Sequence, residues 1–355
     1  MTRPVGTVPG ASTARPGPAD SSWAAPGAFG VARGVYRIPL PLPTNALRAV
    51  NVYAIEDGDT LVLIDSGWAL DVARTQLERA LAGLGRTVAQ ISRFLMTHVH
   101  GDHYTQAILL RREFGSRLSL GIGERPSIEL WAIGRELRLA PQLRRLHACG
   151  AAPLADRVQA AQAARDAPRT EWELPDEWLA PGDIALTSRS LEAIPTPGHT
   201  RGHLCYRDEA NGLLFAGDHV LPHITPSIGF EPALAGLPLA DFLDSLRLIR
   251  QQPDAMLLPA HGPVTASVHA RVDELLAHHA VRLDAAERVV AGGAATAFEV
   301  ARSLSWTRRE SRLGELDPFN QMLAVLETAA HLDVLVMQGR LRAQVSDGTT
   351  GYTQR

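Results

Sequence analysis

"THVHGDH", residues 97–103, places three histidines and one aspartate within seven positions. The lead-in "SRFLM" (92–96) reads as a short buried strand, Phe94 to Met96. The lead-out "YTQAILL" (104–110) reads as a helix that stops near Gly115. His98 and His100 are two apart, so on an extended segment they face the same side. Asp102 and His103 follow a glycine that lets the chain turn, and would point at a neighbouring spot. Imidazole with carboxylate suits zinc, and also iron or manganese. The spacing suggests two cations rather than one.

Three later stretches also end a strand in a ligand-capable side chain. They are His199 in "PTPGHTRGH" (195–203), Asp218 in "FAGDH" (215–219) and His261 in "PAHG" (259–262). A lone His-x-His is weak evidence, because any one of the 13 histidines is more often structural or solvated. His147, His269, His278, His279 and His331 are read that way. Seven ligand-capable residues on four glycine-flanked strand ends are a poor fit to chance.

On these residues the chain resembles the metallo-β-lactamase-fold hydrolases over roughly residues 31–270. The family's H-x-H-x-D-H motif stands here as His98, His100, Asp102 and His103. The resemblance implies an α/β fold, an αββα sandwich with the site along one edge of its two sheets. It implies that His98, His100 and His199 hold a first metal, and that Asp102, His103 and His261 hold a second. Asp218 would bridge the two, and Asp65 in "LIDSG" would orient ligands. Two divalent cations, zinc first with iron or manganese as alternatives, would then lower the pKa of a shared water. The resulting bridging hydroxide would attack the substrate, with Asp102 and Asp218 in the catalytic roles.

The bulk composition sets outer limits. The chain has 355 residues, a net charge of −3 and a charged fraction of 21%, which gives no electrostatic case for nucleic acid or an anionic membrane. All 35 basic residues are arginine, which removes Schiff-base and P-loop lysine chemistry. Two cysteines, Cys149 and Cys205, are too few for a disulfide framework. No apolar run approaches a membrane span, and the first 30 residues lack the apolar centre of a signal peptide. A cytoplasmic setting is expected. Residues 1–30 are read as a mobile tail, 31–270 as the catalytic domain with a helical insertion at about 126–180, and 271–355 as a small appended domain.

That last segment is similar to the winged-helix-like domain carried by some members of the fold, one branch of which includes a nuclease. Residues 264–355 hold 10 arginines against 11 acids, and only Arg308, Arg309 and Arg312 cluster, so a structural or dimerisation role is favoured over nucleic-acid binding. "LDVLVMQGRLRAQV" (332–345) reads as strand, turn, strand. The insertion offers Trp131, Arg135 and Arg138 to a substrate pocket. "LPHITPSIG" offers His223 and Thr225, with His219 just before it. The expected activity is hydrolysis of a carboxylic ester, lactone or thioester, with a small-molecule or acyl substrate. The alternatives are a metal-dependent endoribonuclease or phosphodiesterase, and a metal-binding regulator without turnover.

Overall fold

Leu61 and Leu63 point to one face of their strand, Val62 and Ile64 to the other, and the four enter two different buried clusters. A period of two with both faces apolar means a strand buried on both sides. That pattern sets the layers of the whole molecule. In the computed structural model the described residues are 21–43, 47–132, 139–164, 172–234, 236–307 and 309–355.

The first sheet runs in chain order, β1 (Phe29–Ala32), β2 (Val35–Pro41), β3 (Ala49–Asp57), β4 (Thr60–Ile64), β5 (Ile91–Leu95), β6 (Arg117–Gly121) and β7 (Glu177–Leu179). β3 and β4 pair antiparallel around the Asp57-Gly58 turn, with Asp57 opposite Thr60. β4, β5, β6 and β7 pair parallel, so their C-terminal ends share one edge. The second sheet has the order β12 (Met256–Pro259), β11 (Leu213–Gly217), β10 (Leu204–Asp208), β9 (Ser190–Pro195), β8 (Gly182–Ala185). β11 and β12 are parallel.

Between the sheets lies one cluster, with Tyr53, Val62, Ile64 and Leu95 meeting Leu191, Tyr206, Phe215 and Leu258. Tyr53 and Phe215 meet edge to face at 5.3 Å, a contact worth about 0.5–1.5 kcal/mol beyond its buried area. The first sheet's outer face is covered by α1 (Asp71–Ala82), α2 (Gly101–Phe114) and α3 (Arg125–Ala132) through Leu77, Leu81, Tyr104, Ile108 and Ile128. The second sheet's outer face is covered by α6 (Pro238–Gln251) and α7 (Val268–Ala291). Helix, sheet, sheet, helix is therefore the observed order, as the resemblance implied. α2 ends where Gly115 takes a left-handed conformation, φ 75°, the usual way to close off the last carbonyls of a helix.

The insertion holds α4 (Ala140–Ala148) and α5 (Ala152–Ala164) after α3, and the chain returns to the first sheet as β7. The C-terminal region holds α8 (Ala297–Ser303), the short pair β13 (Ser305–Trp306) and β14 (Ser311–Arg312), α9 (Pro318–Met337) and the hairpin β15 (Leu341–Ser346) with β16 (Thr349–Gln354). Its described buried residues join the core of the second sheet. One buried cluster runs from Leu146 in α4 through Ile194, Leu214, Phe242 and Leu275 to Val325, Leu335 and Tyr352.

Two expectations need correction. Leu332–Met337 is the last part of α9 and not a strand. Its β-branched run is helical because Leu332, Val334 and Leu335 all bury into the shared core, and tertiary packing outweighs local propensity. Only Leu341–Ser346 is extended. The expected tail of 1–30 is also too long. Trp23 is buried, its carbonyl accepts a hydrogen bond from Arg37, and β1 begins at Phe29. Residues 1–20 lie outside the described residues, as do Arg135, Arg138 and Arg308. Among the described residues no helix is long and apolar enough to cross a membrane.

Candidate metal centre

The ends of β5, β11 and β12, with the loop between β9 and β10, deliver seven side chains to one edge of the sandwich. His98, His100, His199 and Asp218 form one group of candidate donors; Asp102, His103 and His261 form another. Within each group the donor atoms lie within 4.8 Å of one another. His98 Nε2 is 3.0 Å from His100 Nδ1, which is 3.0 Å from His199 Nε2. Three imidazole nitrogens that converge this closely match the spacing of about 3.3 Å between ligands on a tetrahedral zinc ion.

Asp218 spans the two groups. Its Oδ2 is 3.5 Å from His199 Nε2, and its Oδ1 is 3.4 Å from His261 Nε2 and 3.6 Å from His103 Nε2. Asp102 Oδ2 approaches His261 Nε2 at 3.3 Å and His103 Nε2 at 3.7 Å. Asp102 and His103 do face a separate spot from His98 and His100, because the first turn of α2 begins at Gly101.

In four of the five donor rings the outer nitrogen fixes the tautomer. His103 Nδ1–H donates to Asp65 Oδ2 at 2.8 Å, His199 Nδ1–H to the Ser227 carbonyl at 2.8 Å, and His261 Nδ1–H to the Ala49 carbonyl at 2.8 Å. The Thr97 hydroxyl donates to Asp65, so its oxygen accepts from His98 Nδ1–H at 3.1 Å. Each of these rings therefore turns a lone pair on Nε2 inward. His103 Nε2, His261 Nε2 and Asp218 Oδ1 are buried with no hydrogen-bond partner. Three buried acceptors facing one another without a donor are costly as they stand, and a cation between them removes that cost. The donor set fits divalent metal.

Asp65 is the anchor of this arrangement. It is buried and accepts from the Thr97 N–H at 2.8 Å, the Thr97 hydroxyl and the His103 ring. Its backbone is left-handed, φ 61°, a conformation that Asp and Asn adopt more readily than most residues. Electrostatics differ between the two groups. Burial, then the neighbouring rings, hold His98 and His100 well below the usual imidazole range. Burial also works against a charge on His103, but with no cation between them the carboxylates of Asp102, Asp65 and Asp218 outweigh it and push His103 up to about 10, a proton on Nε2 standing where a metal would take the lone pair. Burial likewise opposes the Asp102 carboxylate, and His103 and His261 hold it low.

Several supporting residues carry no signal in the sequence. The Asp218 N–H donates to His203 Nε2 at 3.2 Å, so the His203 proton sits on Nδ1 and is given to Thr196 Oγ1 at 2.8 Å. Gly217 (φ 51°) permits this, since a Cβ there would lie 2.6 Å from His203 Nε2 and 2.7 Å from Thr97 Cβ. Ser227, Thr97 and His203 became visible only once the chain was folded, although His203 stands in the same "GHTRGH" stretch as His199.

The pocket residues divide. The Trp131 ring lies 5.9 Å from the His100 ring, and Phe230, not foreseen, lies 6.0 Å from it. Trp172 stands behind Trp131 at 4.7 Å, and Phe319 of α9 behind Phe230 at 5.6 Å. His223 and Thr225 are half-buried in the loop after Asp218, where Arg271 holds the Leu221 and Ile224 carbonyls. His219 does not line the mouth. It is fully buried, edge-on to Phe242 at 5.1 Å, because it follows Asp218 directly and turns back into the core. Burial pushes it down to about 3.

A family model described as the metallo-beta-lactamase superfamily matches residues 46–261, a span holding all seven candidate donors. The chain is similar to the probable metallo-hydrolase YqjP of Bacillus subtilis, 27% identical over 310 residues, or 84% of this chain and 90% of that protein. It is also similar to an atrochrysone carboxyl ACP thioesterase of Aspergillus fumigatus, 24% identical over 247 residues, 68% of this chain but only 44% of that protein. Among solved structures, a metallo-beta-lactamase family protein from Thermus thermophilus superposes with a TM-score of 0.76 at 27% identity, covering 92% of this chain and 100% of its own. With the sandwich, the donor cluster and this match over most of the catalytic region in agreement, the chain belongs to the metallo-beta-lactamase superfamily of hydrolases.

Proposed function

We propose that this hydrolase cleaves activated acyl substrates, thioesters or esters, at a centre of two divalent cations. His98, His100 and His199 would hold one ion, Asp102, His103 and His261 the other, and Asp218 both. Metals bound there supply Lewis acidity, polarising a carbonyl and acidifying water. The chain's own residues do the rest. Asp65 keeps the His103 proton on Nδ1, and Ser227 and Ala49 do the same for His199 and His261. Asp102 carries a carboxylate beside the donor cluster, where it can accept a proton or a hydrogen bond from water.

The observation that carries the substrate class is the wall beside His100. Trp131 and Phe230, backed by Trp172 and Phe319, present apolar ring surface next to the donors. Such a wall suits an acyl group, not a run of phosphates. Among the described residues, Arg145 donates to the Gly229 carbonyl and Arg201 to the Ala233 carbonyl at 3.1 Å. The thioesterase named among the relatives acts, by its name, on an acyl group carried by ACP, which supports the same reading. The test is turnover of zinc-loaded protein on panels of acyl thioesters, esters, lactones and RNA. Acyl hydrolysis that weakens in Phe230→Ala chiefly through KM is expected. RNA cleavage without acyl hydrolysis would overturn the proposal.

A further inference from the structure

Behind the His199 loop sit two buried carboxylic acids that the reaction itself does not use. Glu124 and Glu231 are 0% and 4% exposed. Glu124 closes the short turn Ile122–Glu124 after β6. The Thr200 hydroxyl donates to Glu124 Oε1, and the Arg201 N–H donates to Glu231 Oε2 at 2.8 Å. Ser127 of α3 donates to Glu231 Oε1 at 2.6 Å. The loop lies directly on the turn: a Cβ on Gly202 would stand 2.1 Å from the Glu124 nitrogen. The two residues after His199 are thus each bound to a different acid. The ring of His199 is bound to Ser227, four positions before Glu231.

The charges around the pair do not balance two carboxylates. Arg201 is the cation that acts on both acids. Arg125, next to Glu124 in sequence, is turned away to Glu129 at 2.8 Å. Glu124 Oε2 is buried without a partner, as suits a protonated acid more than an anion. Burial raises both groups, Glu231 to about 7 and Glu124 well above the usual carboxyl range, the latter raised further by the charge on Glu231.

We propose that Glu124 and Glu231 are positioning residues: one proton retained on the pair keeps the His199 loop closed, and its loss loosens His199. With one proton present, a single negative charge faces Arg201. Without it, two anions share a water-poor space, and the segments that carry them separate. His199 hangs between those segments. For stability the sign is fixed by linkage. The folded values lie above the unfolded ones, so the contribution is full below the ordinary glutamate range and is lost as pH rises through the raised values.

The inference rests on His199 being a metal ligand, and not on the substrate class. Zinc dissociation constants of the full chain and of Glu124→Gln are compared by chelator competition across neutral to alkaline pH, with hydrolysis recorded in parallel. Gln keeps an acceptor for Thr200 and cannot ionise. The ratio of the wild-type constant to that of the variant should be flat below neutrality and rise about tenfold on the alkaline side, the effect expected of one proton released per loosened site. Should Glu124→Gln fail to fold, Glu231→Gln keeps an acceptor for the Arg201 N–H and should give the same rise. A ratio that stays flat throughout overturns the inference. His199→Ala separates the causes. If it binds zinc like wild type, the ligand assignment is wrong and the inference falls with it. If it loses zinc while the ratio stays flat, the inference alone falls.

Discussion

Replacing Asp65 with asparagine isolates what one buried charge does for the candidate centre. Asn is nearly the same size and tolerates the left-handed backbone that Asp65 adopts at φ 61°, so the main chain should not move. The Thr97 N–H, 2.8 Å from Oδ1, still finds an acceptor. The loss falls on Oδ2, which accepts from His103 Nδ1–H at 2.8 Å. An amide nitrogen there presents a donor to a donor. His103 can relieve the clash by moving its proton to Nε2, but Nε2 is the atom that faces Asp102 and Asp218. The ring would then offer a proton where a metal needs a lone pair. A charged hydrogen bond of this kind contributes about 1.5–3 kcal/mol, equivalent to roughly 10–150-fold in an equilibrium constant. Substitutions that disturb a ligand's outer partner commonly cost about 10–100-fold in metal affinity. Asp65→Asn should therefore lower the affinity for the ion held by His103 about 10–100-fold, read by competition against a zinc indicator. Fold and circular dichroism should be retained. Affinity within about twofold of wild type would show that Asp65 does not set the His103 tautomer.

Metal content is expected at about two ions per chain in protein purified without chelator; elemental analysis that finds one or none, with no gain on reconstitution, counts against the site. Asp218→Ala should abolish hydrolysis, because Asp218 reaches both donor groups, whereas His223→Ala should act mainly on KM; equal damage from the two would break the distinction between donor and pocket. His219→Ala should lower stability more than activity, since the ring packs on Phe242 inside the core; a large rise in KM with unchanged urea midpoint would restore it to the mouth. Deletion from residue 290 should yield insoluble or unfolded chain, because α9 and Tyr352 share one buried cluster with Ile194 and Leu214 of the second sheet; a stable, active truncation would refute this.

The donors were legible because chemistry crowds them. His98, His100, Asp102 and His103 fall in one seven-residue stretch, and His199, Asp218 and His261 each stand beside a glycine that the strand end requires. The layering was legible only through the family resemblance that these donors carry, since Leu61–Ile64 is apolar on both faces. Residues that act through the fold were not. Ser127 and Glu231 hold each other across 104 positions, and nothing in "IGERPS" or "GFEPAL" marks either acid as buried. Adjacency misled at His219, since being next to a donor in sequence says nothing about which way the side chain turns. The strand reading of "LDVLVM" failed for a related reason: valine and leucine favour a buried surface, and which element supplies it is decided by the partners in α7 and α8.

His261 is tied to the Ala49 carbonyl across 212 positions, and Asn51 donates to the Pro259 and Gly262 carbonyls at 3.0 and 2.8 Å. The edge of the first sheet is thus stitched to the last donor of the second. A contact of such long range adds to the loop-closure entropy of folding, and it needs both ends of the catalytic region in place. As the chain leaves the ribosome, the histidines of residues 98–103 emerge more than 150 positions before His261. They cannot assemble the second donor group alone. A metal site at that group would therefore be completed only when the two sheets close upon each other, and a metal bound there would tie together the two ends of the catalytic fold.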